Sequence, residues 1–236
     1  MRARITLLLL FAILFSFTCL AQTNFEKHFT KKSLRVDFAL SENWDFQAAA
    51  IQQLREEPVW AGPVKNLIDP FGYGGYYINV YDKAGKELIY SRGFNTLFEE
   101  WRSTEQAKTE TQSWTNSISI PYPKAPVIIE ITARDKADMQ FHLLLKQEID
   151  PASIFIDRGK LKENRITKIQ YNGDSSGKVD LVFLAEGYTA DEQEKFVADA
   201  KRFTEALFKT PPYDTRREDF NIWAVDAVSE ESGTDV

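Results

Sequence analysis

Histidine is the first place to look for chemistry in this sequence, because there are only two, His28 and His142. His28 lies in a polar N-terminal segment and His142 within Phe141-His-Leu-Leu-Leu145. A zinc site needs three or four His, Cys or carboxylate ligands converging on one point, and the helical zinc pattern His-Glu-x-x-His occurs nowhere in the chain. His142 is therefore read as a structural position on a strand. Nucleophile and phosphate motifs are missing as well: there is no Gly-x-Ser-x-Gly elbow, no Gly-x-x-x-x-Gly-Lys loop, and no Gly-x-Gly-x-x-Gly after a strand.

Three further positions carry groups that could act on a ligand. Glu186 and Tyr188 follow the apolar run Val179–Leu184, and the carboxyl end of a parallel strand is where ligands bind in open α/β sheets. The plainer reading is a capped turn with Tyr188 packed on a helix start. Asp226, inside a second apolar run, fits either an edge position or a buried, hydrogen-bonded carboxylate. Aromatic residues are plentiful upstream, among them Trp44, Trp60, Tyr73, Tyr76, Tyr77, Trp101 and Trp114. An exposed row of them would suit sugar rings or a protein partner, whereas core packing is their commoner use.

The elements that must position these groups divide into two kinds. From residue 24 to about 150 the pattern is strand after strand. Leu34, Val36, Phe38 and Leu40 alternate with more polar neighbours, and Phe46–Leu54 leans to strand despite three alanines. Tyr76–Tyr81 and Glu87–Ser91 flank the reversal Lys83-Ala-Gly-Lys86 as a hairpin. Leu97, Phe98 and Trp101 suit a short helix or a packed loop. Trp114–Ile120, Val127–Ala133 and Met139–Glu148 follow, with Ile154–Ile156 as a candidate edge strand. Short strands joined by turns predict an antiparallel β-sandwich over 22–155.

Residues 156–177, with Asn172-Gly-Asp-Ser-Ser-Gly177, read as a linker. A β-α-β unit follows over 178–236. Val179–Leu184 has the near-continuous apolar character of a strand buried on both faces. Thr189 and Glu192 have capping-box spacing, Phe196, Ala200, Phe203 and Leu207 share a helical face, Pro211-Pro212 stops the helix, and Phe220–Val228 is the second strand. Ser229–Val236 is a polar loop. The fold class is thus mixed, an N-terminal antiparallel β-sandwich followed by an incomplete α/β unit. Two strands and one helix cannot cover both faces of a parallel sheet, so the chain is expected to be the front of a longer protein.

Arg2 and Arg4 precede an apolar run from Ile5 to Leu20 that ends at Ala21, the layout of a secretory signal peptide over 1–21 and too short for a comfortable membrane span. A secreted or periplasmic location follows. Lipid attachment through Cys19 ranks second, because Ser16-Phe17-Thr18 is a poor processing site. Cleavage after Ala21 removes the only cysteine and leaves a net charge of −8, which argues against a nucleic-acid partner.

Val179-Asp-Leu-Val-Phe-Leu-Ala-Glu-Gly-Tyr-Thr189, Phe203, Pro212-Tyr213, Phe220-Asn-Ile-Trp-Ala-Val225 and Ser229-Glu-Glu-Ser-Gly-Thr-Asp235 together resemble the start of the catalytic domain of the immunoglobulin-A peptidase family of secreted zinc metallopeptidases. Glu57-Pro-Val-Trp-Ala-Gly-Pro63, Lys65-Asn-Leu-Ile-Asp-Pro70, and Leu88-Ile-Tyr-Ser91 leading to Gly93-Phe94 are similar to the N-terminal accessory domain of such proteins. The resemblance implies peptide-bond hydrolysis by a zinc-bound water, with two histidines of one helix holding the metal and the glutamate between them as general base. In the family that helix follows the region matching Ser229–Asp235. No catalytic, cofactor-binding or metal position is therefore carried onto this chain, Glu186 and Asp235 included. Zinc and a protein or peptide substrate are expectations for the full-length protein, and this chain is expected to be inactive as it stands. The alternative is a non-catalytic secreted sandwich that binds a glycan or a protein.

Overall fold

The structure is a computed structural model described over residues 23–160 and 164–233. The expected signal peptide, Cys19 and Asp235 lie outside the described residues. Two units divide the chain, one through Arg158 and one from Gly159.

The first unit holds two four-stranded sheets. One has the order β5-β1-β2-β8, from Gln112–Pro123 (β5), Phe29–Glu42 (β1), Gln47–Glu57 (β2) and Ile156–Asp157 (β8). The other has the order β4-β3-β6-β7, from Leu88–Phe94 (β4), Tyr76–Asp82 (β3), Val127–Arg134 (β6) and Phe141–Ile149 (β7). All neighbours are antiparallel except β2 and β8. Alternation predicts burial well here: Leu34, Val36, Phe38 and Leu40 are fully buried and share one core with Ile78, Val80, Ile129 and Ile131 of the other sheet. Ala48–Ala50 are strand residues paired to Leu40 and its neighbours, so tertiary pairing overrides the helix preference of alanine. Phe98–Trp101 forms one helical turn, with Phe98 buried.

The second unit is a three-stranded sheet of order β10-β11-β9, from Val179–Leu184 (β10), Phe220–Val225 (β11) and Ile166–Gln170 (β9). β10 and β11 are parallel, with Val179 opposite Phe220 and Leu184 opposite Val225. The helix between them, Gln193–Leu207 (α1), follows a 3₁₀ turn at Ala190–Glu192. A capping box starts it: the Thr189 N–H and hydroxyl both donate to Glu192 Oε2, at 3.0 and 3.1 Å. Phe196 and Ala200 pack with Ala185, Phe183 and Ala224 on one face of the sheet.

Four expectations differ from this arrangement. The stretch 156–177 is more than a connection, since it supplies β8 to the first unit and β9 to the second, where β9 pairs antiparallel with β11. β11 ends at Val225, three residues short of Val228. On α1 the buried line is Phe196, Ala200, Thr204, while Phe203 is exposed. Residue 203 lies about 60° around the helix from the middle of that line, and the Thr204 hydroxyl is accommodated by donating to the Ala200 carbonyl at 2.8 Å. Finally, β10 is not buried on both faces. Among the described residues it is an edge strand, and Val182 and Leu184, pointing away from the helix-covered side, are 49% and 69% exposed.

Candidate functional site

The carboxyl ends of β10 and β11 converge on two loops. Gly187, at φ +71°, turns the chain after β10, a conformation that suits glycine. Its N–H donates to Ser229 Oγ at 2.8 Å and its carbonyl accepts from the Gly233 N–H at 2.9 Å. The Ser229 N–H donates to the Tyr188 carbonyl at 2.9 Å, and Ser232 Oγ donates to Glu192 Oε1 at 2.9 Å. Residues 229–233 are therefore stitched to the turn that opens the helix. Periodicity gives no sign of this, because the contacts are made by backbone groups and two serine hydroxyls.

A cleft of about 530 Å³ lies between these loops, lined by Glu186, Glu230, Glu231 and Ser232 among others. Glu186 is exposed in it. Tyr188 follows the plainer expectation: its ring packs on Phe196 at 5.2 Å and its hydroxyl donates to Asp199 Oδ2 at 3.1 Å. Asp199 is held down to about 2 by hydrogen bonds from Lys195, Arg202 and Tyr188. Glu192 sits below the usual carboxylate range because the Thr189 N–H and the Ser232 and Thr189 hydroxyls donate to it.

Asp226 is the buried carboxylate among these candidates, 6% exposed at the end of β11. Its N–H donates to the Arg165 carbonyl at 3.0 Å, and its Oδ2 lies 3.5 Å from Arg165 Nε. It borders a second cleft, of about 500 Å³, with Arg165, Ala190 and Gln193.

Among the described residues neither histidine joins a cluster of three metal-ligating side chains. His142 is exposed on β7 and paired with Asp138 at 2.8 Å. Partial burial and Lys27 lower the pKa of His28. Among the described residues no three His, Cys, Asp or Glu side chains are placed to hold a metal, so the donor set present does not fit zinc. The aromatics split: Trp60, Tyr76 and Tyr77 are core, Trp101 is half-buried, Trp44 and Trp114 are partly exposed, and Tyr73 is 75% exposed. Among the described residues no helix is long and apolar enough to cross a membrane.

Residues 24–144 match the family described as Peptidase M64 N-terminus, and residues 167–236 match IgA Peptidase M64. No curated protein matches the chain.

Proposed function

Since the chain belongs to the IgA peptidase M64 family, matched in both of its parts, we propose that it is the front of a secreted zinc metallopeptidase that hydrolyses peptide bonds in its full-length form. In this reading residues 24–144 are the accessory sandwich and residues from 167 on are the first β-α-β layer of the catalytic domain. One observation carries it: the face of the small sheet opposite α1 is apolar yet open, with Ile166, Val182 and Leu184 49–69% exposed. Parallel strands of this composition belong to sheets covered on both sides. Zinc would supply a polarised water for attack on the peptide carbonyl. The described residues do not fit that metal, so no hydrolytic step is assigned to them; the groups that hold it would lie in chain beyond Val236. Export through residues 1–21, with cleavage after Ala21, belongs to the same reading.

Sequencing the gene past Val236 tests it. A His-Glu-x-x-His segment downstream and about one zinc per molecule in the full-length product are the expected results. A stop codon directly after Val236 overturns the reading. Mass spectrometry of the exported protein checks the cleavage site, with Gln22 expected at the N-terminus.

A second reading, a sandwich that binds a glycan or protein, is favoured by one feature of the first unit. Phe71 and Tyr73 are 70% and 75% exposed and stack at 5.6 Å and 13°. Arg134 holds their loop by donating to the Gly72 and Gly74 carbonyls. Screening the whole chain against a glycan array tests this, with loss of any signal expected in Tyr73→Ala.

A further inference from the structure

The cleft beside Asp226 contains hydrogen-bond acceptors that have nothing to accept. The Asp226 side chain is only 4% exposed, and among the described residues neither of its oxygens accepts a hydrogen bond. Gln193 Oε1 is likewise buried without a donor. Its orientation is set by the other end of the amide, since Nε2 donates to the Tyr188 and Thr189 carbonyls at 3.1 and 2.9 Å. Both side chains line the same cleft of about 500 Å³. A buried carboxylate that lacks donors carries a large desolvation cost, and such groups in native proteins ordinarily receive a partner.

Several observations narrow that partner to a cation with N–H groups. Every unsatisfied atom here is an acceptor, which excludes an anion. The surroundings are acidic, because Glu186, Glu230 and Glu231 line the neighbouring cleft and Val228 and Ser229, consecutive residues, border one cleft each. Arg165 shows which chemistry the carboxylate attracts: its Nε stands 3.5 Å from Asp226 Oδ2 as an ion pair without a hydrogen bond, on a side chain 71% exposed. A buried carboxylate with neither oxygen receiving a hydrogen bond among the described residues matches the two-pronged donor geometry of a guanidinium that enters as Arg165 leaves. A calcium ion is a poorer match, since it takes six to eight oxygens and Arg165 adds like charge beside it.

We propose that this cleft receives the guanidinium of an arginine side chain on a bound peptide, taken up by the Asp226 carboxylate and Gln193 Oε1 while Arg165 moves aside. The peptide nature of the ligand rests on the metallopeptidase reading above; the guanidinium chemistry does not. The site lies where the carboxyl end of a parallel strand meets a helix start, a position that α/β sheets use for ligands.

The test is titration of the whole chain, ¹⁵N-labelled, with N-acetyl-arginine amide, with its neutral citrulline counterpart, and with calcium chloride alone. Expected are shifts at Ala190, the Gln193 side chain, Asp226 and Ala227 with the arginine ligand, and binding at least ten-fold weaker for citrulline. Asp226→Asn should weaken arginine binding at least ten-fold, and Arg165→Ala, which removes the competing guanidinium from an exposed position, should tighten it. If Asp226→Asn fails to fold, Arg165→Ala and the citrulline arm still decide. No shifts at these residues, equal binding of citrulline, unchanged affinity in Arg165→Ala, or a response to calcium in place of arginine overturns the proposal. A gene lacking a downstream zinc motif would defeat the peptidase reading and leave the arginine shifts unaffected.

Discussion

The buried pair Glu42 and Tyr76 offers a sharp test of the sandwich energetics. Glu42, at the end of β1, is 0% exposed, and Tyr76, at the start of β3, is 1% exposed. The Tyr76 hydroxyl donates to Glu42 Oε1 at 2.8 Å and Gln47 Nε2 donates to the same oxygen at 3.2 Å. Arg102 Nε stands 3.8 Å from Oε2, which accepts no hydrogen bond among the described residues. Burial raises the Glu42 carboxyl above its usual range against the pull of these partners, and burial with the neighbouring carboxylate raises the Tyr76 phenol. For Glu42 the folded value thus exceeds the unfolded one. Its contribution to stability is full below the unfolded value and declines as pH rises through the folded one.

Tyr76→Phe removes the hydroxyl and keeps the ring, which stacks on Phe94 at 5.5 Å. With Glu42 ionised, the hydrogen bond from Tyr76 is worth about 1.5–3 kcal/mol, against about 0.5–1.5 kcal/mol for a neutral acceptor. The substitution should therefore cost about 2 kcal/mol in the natural chain and about 1 kcal/mol in a Glu42→Gln background, a coupling of about 1 kcal/mol. With a urea slope of about 2 kcal/mol/M, the first cost lowers the midpoint by about 1 M. Tryptophan fluorescence is suited to the measurement, because Trp44, Trp60, Trp101 and Trp114 all belong to the first unit. Equal midpoint shifts in the two backgrounds, or a shift near zero in the natural chain, would refute an ionised Glu42 held by Tyr76.

Other outcomes follow from the second unit. A Cβ on Gly187 would lie 2.2 Å from the Gly233 carbonyl oxygen, at φ +71°, so Gly187→Ala should release residues 229–233 and cost about 1–3 kcal/mol, read as faster amide exchange there. Glu192, held below its unfolded value, stabilises the helix start above that value and loses the contribution as pH falls through the lowered one. Ser232→Ala should move its NMR titration midpoint upward toward 4.5. Phe196→Ala, at a residue 4% exposed in a small core, should cost about 3–5 kcal/mol, with the Trp223 indole signal losing dispersion first.

The sandwich was legible because its code is local. One face of β1 is buried, so a period of two in Leu34, Val36, Phe38 and Leu40 maps directly onto burial. The helix start was legible for the same reason, since Thr189 and Glu192 are three residues apart. β9 was hidden because Ile166–Gln170 is a five-residue strand in polar surroundings, whose place depends on pairing with β11 some fifty residues later. Phe203 misled because a large apolar side chain at a plausible step outweighed Thr204, whose hydroxyl a helix carbonyl can satisfy. Asp226 and Gln193 were out of reach in combination: nothing in their spacing says that both line one cleft.

Hydropathy and burial disagree on one side of the small sheet. In the first unit the two properties agree at Leu34, Val36, Phe38 and Leu40 of β1, all fully buried. β10 instead has apolar residues at five of its six positions, the composition of a strand covered twice, while α1 covers it once. Leu184 and Val182 stand on the open side, and neighbouring Lys168 shields Tyr171 and Trp223 by lying over their rings at 4.5 and 5.7 Å. Asp180 supports that side from within, accepting from Trp223 Nε1 and Asn221 Nδ2 at 2.9 Å each. With that indole and amide satisfied, the strand pair presents an apolar outer rim suited to a further layer, the observation on which the proposed function rests.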